Sequence, residues 1–122
     1  MPRSGAPVLG SLHFNEGEFV MSLSLQVIYP ATDGSRFDFD YYLGTHMAMV
    51  GDALGGLMES ALVARGLGGG TAGGPPYHAI ATMVFPDKAA LDAAMDRAEP
   101  LLADIPNFFS GTPEMMVGEV VI

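Results

Sequence analysis

Apolar and polar side chains alternate from residue 22 to residue 30, and this period of two predicts a strand with one apolar face. Pro30 and the Asp33-Gly34 turn end that strand. Apolar positions then recur every three to four residues up to Leu54, which predicts a helix that begins at Asp38 and stops at Gly55-Gly56. The apolar face of the strand consists of Leu23, Leu25, Val27 and Tyr29.

The rest of the pattern completes one small domain. It predicts strands over residues 57–67, 77–85 and 112–122, and a second helix that begins at Asp87 and ends at Pro106-Asn107. The order is the ferredoxin-like βαββαβ pattern of the α+β class, in which both helices cover one face of a four-stranded antiparallel sheet. The last segment is apolar on both sides, so we expect a second copy to cover the bare face in a homodimer.

Residues 1–20 lack this regularity and carry several glycines and prolines instead. They also lack the cationic start and long apolar run of a signal peptide. Two interpretations remain open: a translated leader before a natural start at Met21, or a genuine extension that is poorly ordered. In either case we expect the folded domain to span residues 21–122.

Charge and composition exclude several classes of function. The net charge is −9 with only five Lys and Arg residues, so no basic surface is expected for nucleic acid or for an anionic membrane. No apolar run approaches the roughly 20 residues of a membrane span. The chain contains no cysteine, which excludes disulfides and thiolate chemistry and fits a cytoplasmic location.

No cofactor or metal is expected. The segment 68–73 matches G-x-G-x-x-G, but Pro75-Pro76 and a strand follow it, whereas a dinucleotide site requires a helix at that point. The three histidines, His13, His46 and His78, are not bracketed by His-x-x-His, Glu-x-x-His or an acidic cluster. A metal needs three or four convergent ligands, so the sequence predicts none.

A set of short motifs gives the chain a family resemblance. Tyr29-Pro30 comes first, and then the segment 37–47, which runs Phe-Asp-Phe-Asp-Tyr-Tyr-Leu-Gly-Thr-His-Met. Pro76-Tyr77 and the segment 104–108, Asp-Ile-Pro-Asn-Phe, follow. In this order and spacing the chain resembles the EthD family, small proteins of the dimeric α+β barrel superfamily named after a gene of ether degradation. The resemblance implies a ferredoxin-like dimer associated with oxidative degradation, but no particular substrate.

Two positions depart from the pattern of that family. Ala48 stands where the family often has proline after Thr-His-Met, and Phe108 stands where it often has tyrosine. The second difference removes a phenol, so Phe108 is expected to contact a substrate rather than to take part in chemistry.

The candidate chemistry centres on His46. A straight helical wheel places Tyr42, His46 and Met49 on one side, at the margin of the buried face, so Met49 is expected to contact the substrate. His46 could serve there as a general acid or base with Tyr42 as its catalytic partner, while Tyr29 and Asn107 orient a carbonyl or phenol. The alternative is a structural histidine whose ring nitrogens bond a backbone carbonyl or a tyrosine.

Three functions follow from this. The chain is a cofactor-free enzyme of small-molecule catabolism that moves a proton through His46, a non-catalytic protein that binds a small apolar compound, or a dimer that partners an oxygenase. A pocket beside His46 and Tyr42 separates the first two from the third, and pH-dependent turnover separates the first from the second.

Overall fold

Four strands form one antiparallel sheet in the computed structural model, which describes residues 21–69 and 73–122. The strands are β1 (Leu23–Pro30), β2 (Ser60–Arg65), β3 (Tyr77–Phe85) and β4 (Glu114–Glu119). Their order across the sheet is β2-β3-β1-β4, and each neighbouring pair is antiparallel. The predicted ferredoxin-like α+β fold is therefore confirmed. The predictions about residues 1–20 lie outside the described residues.

The first helical stretch contains an irregularity that the sequence pattern did not predict. It consists of α1 (Phe39–Tyr41), a π-helical turn (Tyr42–His46), α2 (Met47–Leu54) and a 3₁₀ turn (Gly55–Leu57). The predicted cap is correct, because the Asp38 side chain accepts a hydrogen bond from the Tyr41 N–H at 3.0 Å. The N–H of Met47 reaches back to the carbonyl of Tyr42, the wide spacing that defines a π-turn.

The second helical stretch is also divided, although a single helix was predicted. It consists of α3 (Lys88–Asp96), α4 (Glu99–Asp104) and a 3₁₀ turn (Ile105–Asn107). Asp87 caps α3 as expected, and its side chain accepts a hydrogen bond from the Ala90 N–H at 2.9 Å. Pro100 explains the break, because proline has no N–H to donate to the carbonyl of Asp96 and its ring crowds that carbonyl.

The two faces of the sheet differ. Both helical stretches pack on the face that carries the buried side chains of the two central strands, which are Leu25, Val27, Tyr29, Ala79, Ala81, Met83 and Phe85. Residues in between, such as Ile28 and Ile80, point to the other face and are only half buried. On that bare face Gln26 Nε2 donates to Thr82 Oγ1 at 3.1 Å, and Leu62 of the edge strand β2 is 62% exposed.

The last strand is shorter than predicted. It spans Glu114–Glu119, although the Val120 N–H still donates to the Ser22 carbonyl at 3.0 Å. Met115 lies opposite Val27 and therefore points to the helix-covered face, whereas Met116 lies opposite Gln26 and points to the bare face. Among the described residues, no helix has both the length and the apolar character needed to cross a bilayer.

Candidate functional site

An aromatic cluster anchors the end of β1 to the first helical stretch. The ring of Tyr29 contacts Phe37, Tyr42, Phe108 and Phe109 edge to face, with centroid separations between 5.0 and 5.7 Å. Such contacts add to the free energy gained by burying the rings. The cluster therefore forms a rigid wall against which the neighbouring polar groups are held.

A buried contact between a histidine and a carboxylate lies beside this wall. His46 Nδ1 is 2.9 Å from Asp104 Oδ2, and the two residues are only 5% and 8% exposed. The π-turn supplies His46, and the end of α4 supplies Asp104. The other carboxylate oxygen, Oδ1, accepts hydrogen bonds from the Tyr41 hydroxyl at 2.7 Å and from Asn107 Nδ2 at 2.9 Å. Each carboxylate oxygen is thus hydrogen-bonded.

These contacts fix the charge of Asp104. Burial by itself raises the pKa of the carboxyl group, but hydrogen bonds from Asn107, Tyr41 and His46, together with the charge of His46, outweigh it and lower the pKa. The hydrogen bond to Asp104 in turn raises the pKa of the Tyr41 phenol. The carboxylate is therefore ionised at neutral pH.

The tautomer of His46 follows from that charge. An ionised carboxylate only accepts hydrogen bonds, so Nδ1 of His46 must carry the proton that lies between the two residues. In the neutral imidazole the lone pair then resides on Nε2. The structure gives a hydrogen-bond contact for Nδ1 and none for Nε2 among the described residues.

The π-turn determines which side chains share the face of His46. The ring of His46 stacks on that of Tyr42 at 5.5 Å with only 17° between their planes, and it packs on Phe108 at 4.6 Å. The extra residue in the π-turn rotates the side chains that precede it, relative to those of α2, around the helix axis. Tyr42 and His46 consequently share a face with Met47, Val50 and Leu54, not with Met49 as the straight wheel predicted. π-Turns are rare and frequently occur at functional sites.

A cavity of about 60 Å³ opens beside these residues, between the two helical stretches and the sheet. Its polar side chains are Tyr29, Tyr42 and His46, and its other walls are aliphatic residues and methionines. Met95, Leu102 and Met115 also line it and are 39–44% exposed, so they form its mouth. A water needs roughly 10–15 Å³ measured in this way, so the cavity accommodates a few heavy atoms.

The Tyr42 hydroxyl is unusual in this setting. The residue is fully buried, and its hydroxyl lies close enough to the Tyr29 hydroxyl to influence its pKa, although it makes no hydrogen bond of good geometry among the described residues. Burial raises the pKa of the Tyr42 phenol to about 12. Burial also raises the pKa of Tyr29, and the adjacent Tyr42 phenol adds to that effect. Both phenols are therefore neutral at physiological pH.

The structure brings most of the predicted site residues together. His46, Tyr42 and Tyr29 line the cavity, and Phe108 packs on the His46 ring behind them. Asn107 acts through Asp104 and is itself exposed. The exception is Met49, which is half buried against the core and does not line the cavity.

Asp104 was not among the site residues predicted from the sequence. A signal was present, because Asp104 follows Leu101 at a spacing of three residues and precedes Ile105, so it falls on the apolar side of its helix. A carboxylate at a core-facing position needs partners for both oxygens, and Asn107, three residues later, donates to only one of them. Its partner His46 lies 58 residues away, which only the fold reveals.

The second histidine of the described residues lies elsewhere. His78 Nε2 is 2.9 Å from Ser35 Oγ, and the Ser35 hydroxyl donates its own proton to the Thr32 carbonyl at 2.8 Å. Ser35 must therefore accept from His78, which excludes a serine activated by this histidine. Within the described ranges no group of three or more His, Cys, Asp or Glu side chains is positioned to hold a metal ion.

Comparison with known proteins identifies the family to which this chain is similar. The EthD domain family model matches residues 33–112. An EthD-like protein from Ralstonia eutropha JMP134 is 34% identical, with 85% of this chain and 96% of that chain covered and a TM-score of 0.75. Among curated protein sequences, none matches this chain.

Two further solved structures share the fold. A protein of the ethyl tert-butyl ether (EthD) family from Bacillus halodurans C-125 is 25% identical, covering 83% of this chain and 100% of that one, with a TM-score of 0.63. A dimeric ferredoxin-like protein of unknown function from Thermobifida fusca YX is 13% identical, covering 91% and 99%, with a TM-score of 0.60. The last of these is informative about the fold alone.

Proposed function

The chain belongs to the EthD family, and from that premise we propose that it binds a small, uncharged, largely apolar compound in the cavity between its helices and its sheet. The lining supports this proposal, because it contains no lysine, arginine or carboxylate that would pair with a charged ligand. The methionines at the mouth support it as well, since their flexible side chains adapt to apolar ligands.

We propose further that His46 moves a proton on the bound compound. The observation that carries this proposal is the 2.9 Å contact between His46 Nδ1 and the buried Asp104 carboxylate on the wall of the cavity. A carboxylate that holds Nδ1–H fixes the orientation of the ring and stabilises the imidazolium that forms when Nε2 takes a proton. A positioned acid or base of this kind contributes about 10²–10⁴-fold to a rate.

The test begins with a screen of small neutral compounds by thermal shift, followed by turnover assays on the compounds that bind. Replacing His46 by glutamine should reduce turnover by about 10²–10⁴-fold while the protein stays folded. The matched control is His78→Gln, which removes the other histidine of the described residues and should leave turnover unchanged. Full turnover by the His46→Gln variant would contradict the proposal.

The second candidate is a non-catalytic binding protein that serves an oxygenase in oxidative catabolism. The Bacillus halodurans relative belongs to a family named for the degradation of an ether, and this supports a connection with that kind of pathway. The test measures ligand binding and turnover in the presence of a purified oxygenase that is encoded nearby. A ligand that binds but is not turned over at any pH would favour this candidate over the enzyme.

The bare sheet face supports the proposal of a homodimer. Ile28, Ile80 and Val84 lie half buried on this face, and Leu62 and Met116 are 62% and 51% exposed. A second copy packed sheet to sheet would cover these side chains, as expected for a sheet that is apolar on both faces. The Thermobifida fusca protein, which shares the fold, is dimeric, and this is in line with the proposed arrangement.

Light scattering behind a sizing column tests the dimer. The chain should elute as a dimer at micromolar concentration, and Ile80→Lys should shift it toward monomer because the charge would be buried against the partner. The control is Leu67→Lys, in a segment outside the sheet where the side chain is 88% exposed. A monomeric wild type would contradict the proposal.

The domain limits are a separate proposal. We propose that residues 21–122 fold without residues 1–20, because the first strand begins at Leu23 and, among the residues that the structure describes, it pairs with β3 and β4. A chain that begins at Met21 should melt within a few degrees of the full-length chain. A large fall in melting temperature would show that the first 20 residues pack on the domain.

A further inference from the structure

Apolar side chains extend beyond the mouth of the cavity along the outer edge of the sheet. Met95, Leu102 and Met115 form the mouth and are 39–44% exposed. Val117 is the next residue after Met115 on the same face of β4, and it is 56% exposed although it does not line the cavity. These four residues are the mouth strip. Resting on the binding function proposed above, we propose that the ligand carries a flexible apolar arm that lies on the mouth strip while its other end enters the cavity.

The register of β4 aligns the two strand residues of the mouth strip. Met115 lies opposite Val27 and Val117 lies opposite Leu25, and these partners point to the helix-covered face. Successive side chains on one face of a strand are about 6.5–7 Å apart, so the strip continues the cavity wall along β4. Glu119 is the next residue on this face, and its exposed carboxylate ends the apolar surface.

The cavity is too small to bind a ligand tightly by itself. Its volume of about 60 Å³ accommodates only a few heavy atoms. Even the most efficient ligands of about four heavy atoms reach dissociation constants of only some tens of micromolar. An arm on the mouth strip adds contact outside the cavity, and each methylene group that is partly or fully buried there tightens binding about twofold to fourfold.

Area and charge argue against a protein partner or a membrane on the mouth strip. A standard protein interface takes about 800 Å² from each partner, and four part-exposed side chains provide less than that. Glu114 and Glu119 flank the strand residues of the strip, and with the net charge of −9 they would repel an anionic membrane surface. The dimer proposed above uses the opposite face of the sheet, to which Met116 points, so it leaves the strip uncovered.

A homologous series of uncharged ligands tests the proposal. The series is 2-butanone, 2-hexanone and 2-octanone, which share one compact polar end and differ in the length of a single apolar arm. Ligand-observed NMR titrations give their dissociation constants for the wild type, Val117→Gln and Met116→Gln. Met116 is the matched control, because it is the neighbour of Val117 on β4, has a similar exposure of 51%, and points to the opposite face.

The decisive quantity is the ratio of the dissociation constant of 2-butanone to that of 2-octanone. In the wild type it should be at least about tenfold, because four added methylene groups at about twofold each give roughly sixteenfold. Val117→Gln should reduce the ratio about threefold, since the arm would then desolvate an amide. Met116→Gln should leave the ratio unchanged, which removes the general hydrophobicity of the longer ketone from the comparison.

Four results would overturn the inference. A wild-type ratio below about threefold would show that the arm finds no surface outside the cavity, while the binding function would stand because both ketones still bind. Equal ratios in Val117→Gln and Met116→Gln would remove the mouth strip from recognition. Dissociation of the dimer by Val117→Gln but not by Met116→Gln, seen by light scattering, would show that a second copy occupies the strip. Binding of none of the ketones by the wild type would overturn the inference together with the binding function on which it rests.

Discussion

The two histidines of the described residues sit in adjoining parts of the same aromatic cluster, yet their surroundings differ. His46 packs on Phe108 at 4.6 Å, and His78 stacks on Phe37 at 5.8 Å. His46 is 5% exposed and contacts a carboxylate through Nδ1, whereas His78 is half buried and contacts a hydroxyl through Nε2. Only His46 borders the cavity. The partner of the ring and the space beside it, not the residue type, distinguish the candidate site.

The partners impose opposite tautomers on the two rings. Asp104 accepts only, so it places the proton of His46 on Nδ1 and leaves Nε2 as a base. The Ser35 hydroxyl already donates to the Thr32 carbonyl, so it places the proton of His78 on Nε2. His78 is therefore a structural donor, and it serves as the internal control for His46.

The largest expected difference in stability between the His46 and His78 regions follows from removing the residue that each histidine contacts, Asp104 or Ser35. Asp104→Ala leaves the Tyr41 hydroxyl, Asn107 and His46 Nδ1 without their acceptor. Because three donors lose one acceptor, we expect this change to lower the free energy of unfolding by about 2–4 kcal/mol, as measured by urea denaturation. Ser35→Ala should cost only about 0.5–1.5 kcal/mol, the value of an ordinary hydrogen bond. Equal losses would show that the hydrogen bonds to Asp104 contribute no more to stability than those of Ser35.

Removing the rings themselves should give a smaller difference. His46→Ala strands one oxygen of the buried carboxylate and opens space against Phe108, so we expect a loss of about 1–3 kcal/mol. His78→Ala should cost less, because its ring is half exposed and its partner Ser35 keeps the hydrogen bond to Thr32. Denaturation at neutral pH measures both. A greater loss for His78→Ala would reverse the order proposed for the two sites.

The pH dependence of stability should separate the regions in acid. The pKa of Asp104 is lowered in the folded protein, so its contribution to stability is present above the ordinary value of 3.8 and is lost as the pH falls through the folded value. Unfolding free energies between pH 2 and pH 6 should therefore fall less steeply in Asp104→Asn than in the wild type. Ser35→Ala should reproduce the slope of the wild type. Parallel curves for all three proteins would contradict the lowered pKa.

The smallest effect is expected in alkali. The pKa of Tyr42 is raised from 10.0 to about 12, so its neutral form contributes stability below pH 10 that is lost as the pH rises toward 12. Tyr42→Phe should flatten the decline in unfolding free energy across that window. Tyr77→Phe, a change beyond the cavity, should not alter it. If Tyr42→Phe and the wild type lost unfolding free energy equally steeply in alkali, the raised pKa of the Tyr42 phenol would be contradicted.

The sequence was sufficient for the parts of the fold that depend on local periodicity. The apolar-rich segment 77–85 predicted β3 without error, and Asp38 and Asp87 cap helices as expected. The break before Pro100 was foreseeable from proline chemistry but was masked by apolar spacing that continues on both sides of it. Local rules therefore recovered the architecture and missed its interruptions.

The site depends on features that local rules do not contain. The π-turn adds one residue within five, and a wheel drawn at 3.6 residues per turn then assigns Met49 to a face that it does not occupy. The contact between Asp104 and His46 spans 58 residues, so no local pattern could pair them. His46, Tyr42 and Tyr29 were found because each combines reactive chemistry with an apolar spacing, whereas Asp104 required the fold.

The tautomeric state of His46 tests the central claim most directly, because it reports whether Asp104 prepares the ring as a base. Long-range ¹H–¹⁵N NMR spectra of protein labelled at histidine, recorded above the ordinary histidine pKa of about 6.5, distinguish protonated from unprotonated ring nitrogens. Signals are assigned with the His46→Gln and His78→Gln variants. We predict a proton on Nδ1 of His46 and on Nε2 of His78, with the preference of His46 lost in Asp104→Leu. A proton on Nε2 of His46 in the wild type would contradict the account.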